Sequence, residues 1–226
     1  MQKLIARTIK AIKQFGLIDK GDVVVVGLSG GKDSMLCTIL LHEISKFQNF
    51  KVIAVSLDCT GGKANYDEIK AFLKDIELHI VPCDILKIVF EDRKETSPCS
   101  LCANLRRGRL NAYAKELGAT KVALGHHADD FIETLFLNTI YGGRLTSFSP
   151  KTYLDRIDIT QIRPLFYVKE SEIIASVKTL GIPILNNCCK ANGNTQRQFA
   201  KEELARLEKL VPGAKTRIFN ATLDLL

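Results

Sequence analysis

Two patterns of hydrophobic positions alternate along the chain between residues 23 and 142. Unbroken apolar runs at 23–28 and 52–57 are rich in valine, which is typical of parallel strands buried on both faces. Shorter runs at 78–81 and 122–124 predict two further strands. The segments around them have helical spacing, over residues 4–15, 33–47, 66–76, 85–91, 101–117 and 129–141. The alternation predicts an α/β fold, an open parallel sheet of about five strands with helices on both faces.

The regular alternation of strands and helices ends after the glycine pair at 142–143. Residues 152–162 look extended and predict a hairpin or an edge pair. Residues 170–180 and 195–210 predict helices, separated by a loop rich in Asn, Cys and Gly. We therefore predict a core that includes the N-terminal helix, residues 1–150, and a helical C-terminal extension, residues 151–226.

Composition narrows the class of protein. The 226 residues are 46% hydrophobic and 25% charged, which suits one sizeable globular core. No apolar run reaches the roughly 18 residues of a membrane span, and the basic N-terminus lacks the apolar segment of a signal peptide. A formal net charge of +7 favours polyanionic partners. Seven cysteines without a secretory signal predict a reducing compartment, and hence a cytoplasmic protein that does not enter a membrane.

The most informative motif is the loop between the first strand and its helix, Ser29-Gly30-Gly31-Lys32-Asp33-Ser34. Two glycines let backbone amides approach a ligand, and the helix N-terminus and Lys32 add positive charge, so the loop predicts a phosphate site. It is not a Walker A loop, because Val26 stands where a glycine is needed and Asp33 follows the lysine. Asp33 is a candidate Mg²⁺ ligand beside the phosphates.

Two more strand ends should face the same edge of the sheet, where open α/β folds bind ligands. The second strand ends at Leu57, which we expect near an adenosine. The fourth is followed by Gly125-His126-His127-Ala128-Asp129-Asp130. The acidic pair could simply cap a helix, but we favour a functional Asp130 that positions Mg²⁺ or takes a proton.

The cysteines divide into two groups. Cys37, Cys59 and Cys83 have apolar or strand-like neighbours and are expected in the core. Cys99 and Cys102 form a CxxC after Pro98, and a redox pair, a zinc site and an iron–sulfur cluster all remain open for it. The distant Cys188-Cys189 pair could supply a third thiolate, which suits a cluster with one open iron better than a closed zinc site.

Several motifs in order from residue 29 to residue 198 together resemble the tRNA 2-thiocytidine synthetase family. The loop at 29–34 is similar to the PP-loop of the N-type ATP pyrophosphatases. The other matching segments are Pro98-Cys99-Ser100-Leu101-Cys102, Leu105-Arg106-Arg107-Gly108, Leu124 to Asp130, Asn138 with Tyr141-Gly142-Gly143, Ile162-Arg163-Pro164-Leu165 and Gln196-Arg197-Gln198. No segment matches the terminal zinc fingers of the related 2-thiouridine synthetases.

The resemblance implies that ATP, with Mg²⁺, adenylates the C2 oxygen of an anticodon-loop cytidine, and that sulfur then displaces AMP. It implies a 4Fe–4S cluster on Cys99, Cys102 and a C-terminal cysteine. Spacing to Gln196 matches Cys189 to one cysteine of a CxxC that the family has there, but this chain has adjacent Cys188 and Cys189 instead, so Cys188 is the alternative. It implies catalytic roles for Asp130, Arg106 and Lys32, with Arg106 stabilising charge since a guanidinium stays protonated. The ATP-binding set would be Ser29, Gly30, Gly31, Lys32, Asp33, Ser34, Leu57, Gly125 and His126, with Asp33 and Asp130 as Mg²⁺ ligands.

The implied partners are tRNA and a sulfur donor such as a cysteine desulfurase, and a homodimer is left open. The extension at 151–226 would contribute to the cluster site and to tRNA contact. Three other functions stay open from the sequence. They are 2-thiouridine synthesis, adenylation of a small molecule, and nucleotide-dependent redox sensing without turnover.

Overall fold

The computed structural model describes residues 1–89, 98–185 and 196–223, and only the backbone of residues 98–100. The strands are β1 (Val23–Gly27), β2 (Lys51–Asp58), β3 (Glu77–Pro82), β4 (Lys121–Ala123), β5 (Lys151–Leu154) and β6 (Ile159–Ile162). The first helices are α1 (Gln2–Phe15), α2 (Lys32–Ser45), α3 (Asp67–Phe72), α4 (Ile85–Lys87) and α5 (Pro98–Glu116). They are followed by α6 (Ala128–Gly142), α7 (Glu170–Leu180), α8 (Gln196–Leu210) and α9 (Ala214–Thr222).

The strands form one sheet in the order β3-β2-β1-β4-β6-β5. All neighbours are parallel except β5, which pairs antiparallel with β6 at the edge. The predicted open parallel sheet is therefore confirmed. The described chain holds six strands where about five were expected, because the predicted hairpin joins the main sheet beside β4.

The valines of β1 show why the apolar runs are unbroken. Val24 and Val26 belong to one core cluster and Val25 to the other, and all three are fully buried. Alternate side chains of a strand point to opposite faces, so a sheet covered on both sides needs apolar residues at every position. One cluster packs under α1, α2, α6 and α7, and the other under α4 and α5.

Glycines end two of the predicted helices as expected. Gly16 after α1 and Gly143 after α6 both have left-handed backbone, with φ of 54° and 59°. The helix expected over 66–76 is shorter, Asp67–Phe72, because Leu73 leaves the helical region with φ −96° and ψ 27°. The helix expected over 85–91 is an α-helix over Ile85–Lys87, α4, and continues as a π-helical turn at 88–89, while residues 90 and 91 lie outside the described part.

The division of the chain at residue 150 stays a prediction. Strand β6, from the C-terminal part, pairs with β4 of the N-terminal part from Lys121 opposite Thr160 to Ala123 opposite Ile162. No helix in the described ranges is long and apolar enough to cross a membrane.

Two of the three cysteines expected in the core differ from that expectation. Cys37 is fully buried, and burial, followed by the charge of Asp33, raises its pKa to about 12. The sulfurs of Cys59 and Cys83 are instead joined as a disulfide between the ends of β2 and β3, and both residues are only partly buried. Both residues directly follow the ends of adjacent parallel strands, which places their Cα atoms 4.9 Å apart.

Candidate functional site

The glycine-rich loop connects the end of β1 to the first turn of α2. Ser29 N donates to Ser34 Oγ at 3.1 Å, and Ser34 Oγ donates to the Gly31 carbonyl at 3.0 Å. The hydroxyls of Ser29 and Ser34 are also 3.0 Å apart. These bonds fold the loop over the helix N-terminus, where the free amides and partial positive charge of α2 suit an anion.

Gly30 cannot carry a side chain in this loop. Its φ is +77°, and a Cβ atom would lie 2.5 Å from Leu185 Cδ1. The Leu185 amide donates to the Gly30 carbonyl at 3.0 Å. The C-terminal part of the chain therefore contacts the loop directly, although the two are far apart in sequence.

Lys32 lies between two carboxylates. Its Nζ is 3.1 Å from Asp33 Oδ2 and 3.1 Å from Glu170 Oε1, the first residue of α7. Burial lowers the pKa of Lys32, but Asp33 and then Glu170 outweigh burial, so the pKa is raised above 10.5. The ammonium group stays charged at neutral pH and can exchange a carboxylate for a phosphate.

Asp33 presents one oxygen that suits a metal ion. Its Oδ1 is buried and has no hydrogen-bond partner among the described residues, with His127 Nε2 nearest at 3.6 Å. Burying a carboxylate oxygen without a partner is costly, so the arrangement fits a cation. Mg²⁺ commonly takes one or two carboxylates together with phosphate oxygens, and Asp33 can provide one of them.

The loop after β4 packs tightly against the end of the glycine-rich loop. A Cβ atom on Gly125 would lie 2.9 Å from Asp33 C and Ser34 N, so only glycine allows this approach. His127 caps α6 by accepting a hydrogen bond from Asp130 N, and Asp130 Oδ2 accepts from His127 N at 3.0 Å. His127 Nε2 also lies 3.5 Å from Asp130 Oδ2, so Asp33 and Asp130 approach the same imidazole.

The two aspartates of this loop point in different directions. Asp129 pairs with Lys215 of α9 and accepts from the Glu170 amide at 2.7 Å. Burial alone would raise the pKa of Asp129. Lys215 and the hydrogen bond from the Glu170 amide lower it by more than burial raises it, so the pKa lies below its ordinary value. Asp129 therefore joins α6 to α7 and α9, whereas the Asp130 carboxylate contacts His127 and Arg197.

His126 lies beside the same site in a neutral state. Its ring packs against the Phe148 ring at a tilt of 34°, with centroids 5.3 Å apart, and its Nδ1 is buried without a hydrogen-bond partner in the described part of the chain. Burial lowers its pKa to about 4, with Arg163 and Arg197 adding to the effect and Asp130 opposing it.

A cavity of about 280 Å³ opens at the carboxyl ends of β1 and β2. It brings together residues that the sequence had assigned separately, including Leu57 and His126 with Ser29. Its other lining residues are Gly27, Leu28, Val55, Ala103, Arg106, Arg107, Leu110 and Leu124. A larger cavity of about 580 Å³ lies behind the N-termini of α6, α7 and α9. We assign the nucleotide to the smaller cavity because it adjoins the glycine-rich loop.

The predicted cluster cysteines are only partly described. Cys102 is half-buried in α5, against the apolar cluster that includes Leu101, Leu105 and Cys83. The side chain of Cys99 and the whole of Cys188 and Cys189 lie outside the described residues. Arg106 follows Cys102 by one helical turn, so the two lie on the same side of α5. Within the described part of the chain, no group of three or more His, Cys, Asp or Glu residues could hold a metal ion.

Four site residues were missed by sequence reasoning. Glu170 contacts Lys32, and Arg197 and Glu133 contact each other beside Asp130. Arg163 is buried, with its Cζ 5.0 Å from the Phe148 ring centre, and burial followed by Arg107 lowers its pKa to about 10. Of these four residues, only Arg163 and Arg197 lie in the motifs that carry the family resemblance, and the sequence alone assigned a role to neither of them.

Similarity to known proteins agrees with this geometry. A family model described as a PP-loop domain matches residues 1–208. The tRNA-cytidine(32) 2-sulfurtransferase of Marinomonas sp. (strain MWYL1) is 41% identical over 228 residues, covering 98% of this chain and 82% of that protein. The proteins of the same name from Ralstonia nicotianae (strain ATCC BAA-1114 / GMI1000) and Teredinibacter turnerae (strain ATCC 39867 / T7901) are each 42% identical, covering 94% and 98% of this chain and 70% and 76% of those proteins.

Solved structures of other proteins share the fold of this chain. The U34-tRNA thiolase NcsA from Methanococcus maripaludis, solved with its 4Fe–4S cluster, has a TM-score of 0.75 and 25% identity. The match covers 97% of this chain and 77% of that one. The NH₃-dependent NAD synthetase from Campylobacter jejuni subsp. jejuni NCTC 11168 has a TM-score of 0.54 and 21% identity, covers 97% of this chain and 91% of that one, and shows a shared fold alone. With its PP-loop domain and its close relatives, the chain belongs to the tRNA-cytidine(32) 2-sulfurtransferase family of PP-loop proteins.

Proposed function

We propose that this protein is an ATP-dependent tRNA sulfurtransferase that replaces the C2 oxygen of cytidine 32 with sulfur. The observation that carries the proposal is the position of α5. This helix begins with the CxxC, and its residues Ala103, Arg106, Arg107 and Leu110 form one wall of the cavity at the glycine-rich loop. One helix thus joins the predicted sulfur chemistry to the predicted nucleotide site.

The reaction has two displacements. The C2 oxygen of the cytidine attacks the α-phosphorus of ATP and pyrophosphate leaves, and sulfur then attacks C2 while the bond to AMP breaks. Lys32 and the loop amides would hold the β- and γ-phosphates, and Asp33 with Asp130 would hold Mg²⁺. Arg106, at the cavity wall, would stabilise negative charge on the phosphate or the base oxygen.

The third element of the proposal is a 4Fe–4S cluster on Cys99, Cys102 and either Cys189 or Cys188. When bound, the cluster would supply an iron site that holds the incoming sulfur. Cys102 fits this role because it lies one turn from Arg106 and next to the cavity wall. A cysteine desulfurase as sulfur donor, a cytoplasmic location, a homodimer and the functional division at residue 150 remain predictions.

Analysis of tRNA nucleosides tests the substrate. We expect mass spectrometry of tRNA from cells lacking this gene to show loss of 2-thiocytidine, with 2-thiouridine unchanged. Loss of 2-thiouridine instead would assign the chain to uridine thiolation, and loss of neither would point to a small-molecule substrate or to redox sensing.

Two substitutions in the loop test the use of ATP. Lys32→Ala and Asp33→Ala should each abolish pyrophosphate release without unfolding the protein, because both side chains face the site and not the core. Lys46→Ala is the matched control, since Lys46 directly follows the same helix and, among the described residues, its ion pair is with Glu43 at the surface. Pyrophosphate release at the normal rate by both loop variants would remove the PP-loop assignment.

Iron content tests the cluster. Protein purified without oxygen should be brown, with about four irons per chain. Cys99→Ala and Cys102→Ala should each lose the colour, and of Cys188→Ala and Cys189→Ala one should lose it and the other keep it. Cys37→Ala should keep the colour, because Cys37 is buried in the other core cluster. One zinc per chain with no iron would reject the cluster.

A further inference from the structure

Arg197 lies in the first turn of α8 and contacts two carboxylates of α6. Its Nη2 donates to Asp130 Oδ1 at 2.8 Å, and its Nε donates to Glu133 Oε2 at 3.2 Å. The guanidinium is 49% exposed, whereas the Asp130 and Glu133 side chains are 16% and 6% exposed. Arg197 therefore covers both carboxylates from the solvent side.

Both oxygens of Asp130 have partners in this arrangement. Oδ2 accepts from the His127 amide and completes the cap of α6, and Oδ1 accepts from Arg197. Losing the cap bond would free a helix N-terminus, so Oδ2 is fixed by the fold. Oδ1 is the oxygen available for chemistry, and Arg197 is the partner that determines where it points.

Glu133 explains why a planar guanidinium is suited to this position. Asp130 and Glu133 stand three residues apart on one helix face, where two like charges repel each other. Burial raises the pKa of Glu133 and the charge of Asp130 raises it further, while Arg197 opposes both. One guanidinium with two parallel donors can hold both carboxylates at once, which an ammonium group cannot do with the same geometry.

The contact is a poor candidate for a purely stabilising ion pair. Pairs with one half-exposed partner usually contribute little to folding, because solvent screens them and the long side chain loses freedom. The effect of Arg197 should therefore appear in the orientation of the Asp130 carboxylate more than in the stability of the fold.

We propose that Arg197 is a positioning residue for Asp130, fixing the direction of its Oδ1 until Mg²⁺ or the reacting group takes that oxygen. This inference rests on the proposed function, in which Asp130 acts at the ATP site. It gives the Gln196-Arg197-Gln198 motif a role in adenylation, through contact with α6.

The test measures AMP formation from ATP in the presence of tRNA. Arg197→Gln should lower kcat by about 10- to 100-fold, the range typical of losing a residue that orients a ligand group. The KM for ATP should stay within about threefold, because Arg197 does not contact the triphosphate in this role. Millimolar guanidinium ion should restore part of the lost rate, which it would not do for a variant that had merely unfolded.

A matched control and a double-mutant cycle complete the test. Arg206→Gln should leave kcat unchanged, since Arg206 is on the same helix and its ion pair within the described ranges is with Glu203 of that helix. Arg197→Gln added to Asp130→Asn should cause no further loss, because the first residue acts through the second. Additive losses, or a KM for ATP that rises as much as kcat falls, would overturn the inference. A wild-type protein that forms no AMP would instead reject the proposed function itself, and an Arg197→Gln variant as active as wild type would reject only the role of Arg197.

Discussion

At the residue scale, the site depends on one close approach of backbone to backbone. Gly125 places the loop after β4 directly against Asp33 and Ser34, and its missing side chain is the condition for that contact. The sequence showed the glycine within a motif, but only the three-dimensional contact shows what a methyl group there would displace.

Gly125→Ala should destabilise the protein by about 1–3 kcal/mol, because the added methyl group must push the glycine-rich loop away. ATP affinity should fall with it. Gly108→Ala is the control, since no atom lies within 4 Å of a Cβ at that helical position. Thermal unfolding measures the loss of stability, and ATP titration measures the loss of affinity. A Gly125→Ala protein with the stability and ATP affinity of wild type would show that the loop can move away from the added methyl group without an energetic penalty.

His126 should make stability depend on pH. Its pKa is about 4 in the folded protein, against an ordinary value of 6.5 for histidine, so the unfolded chain binds the extra proton between these limits. Stability should therefore rise with pH across that window and be lost as pH falls from about 6.5 towards 4. Urea unfolding at several pH values should show a smaller acid loss for His126→Gln, and an unchanged loss would assign the effect to other groups.

Sequence alone predicted residues of the site that are contiguous and missed those that meet through folding. Ser29, Lys32, Asp33 and Ser34 stand in one short motif, and the structure places them together at the N-terminus of α2. The contact between Lys32 and Glu170 joins the first helix after β1 to the first residue of α7. No local pattern marks such a pair, because its geometry depends on how the sheet and helices pack.

At the scale of elements, α5 has two functions along its length. Ala103, Arg106, Arg107 and Leu110 contribute to the wall of the cavity at the glycine-rich loop, and the exposed Arg109 faces solvent. Arg109 also contacts Glu116 at 3.8 Å and lies 5.9 Å from the Tyr113 ring centre, both within the helix.

Changing Arg106, Arg107 and Arg109 together to Ala should weaken tRNA binding and flatten its salt dependence, because fewer counterions are released. Lys3, Lys13 and Lys20 changed together to Ala remove the same charge from exposed positions away from α5 and are the control. Filter binding across a salt series measures the slope, and equal slopes for the two triple variants would show that net charge alone sets the affinity.

The hairpin of β5 and β6 shows where pattern reasoning is incomplete. Alternating positions at 152–162 predicted a hairpin or edge pair, and the structure has both. The partner of β6 could not be read from the pattern, because pairing with β4 depends on the packing of the segments between them. The shortened α3 has a more local cause, the backbone conformation of Leu73.

At the scale of the whole molecule, the core is shared by both parts of the chain. Buried residues after position 150 enter both clusters, among them Ile159, Ile162, Leu165 and Phe166. The alternation of strands and helices predicted the parallel sheet, but it did not predict that the two parts of the chain share one core. The alternation ends at residue 143, and this would look the same in the sequence whether the following segment formed an appendage or added a strand to the sheet.

A fragment of residues 1–150 should therefore fail to fold cooperatively. It would leave β4 without its partner β6 and remove apolar side chains from both clusters. Circular dichroism during thermal unfolding measures this, with the full-length chain as the reference. A single sharp transition in the fragment would show that the first 150 residues form an independent domain.

The pairing of β4 with β6 has a consequence for the chain while it is being made. A ribosome releases β4 well before β6, so the nascent protein carries an open, apolar strand edge until residue 162 has left the exit tunnel. Such an edge can pair with other chains, and a chaperone or a pause that favours early release of the hairpin would shorten the exposure. We therefore expect the yield of soluble protein to depend on how soon the hairpin follows β4 out of the ribosome, as well as on the stability of the finished fold.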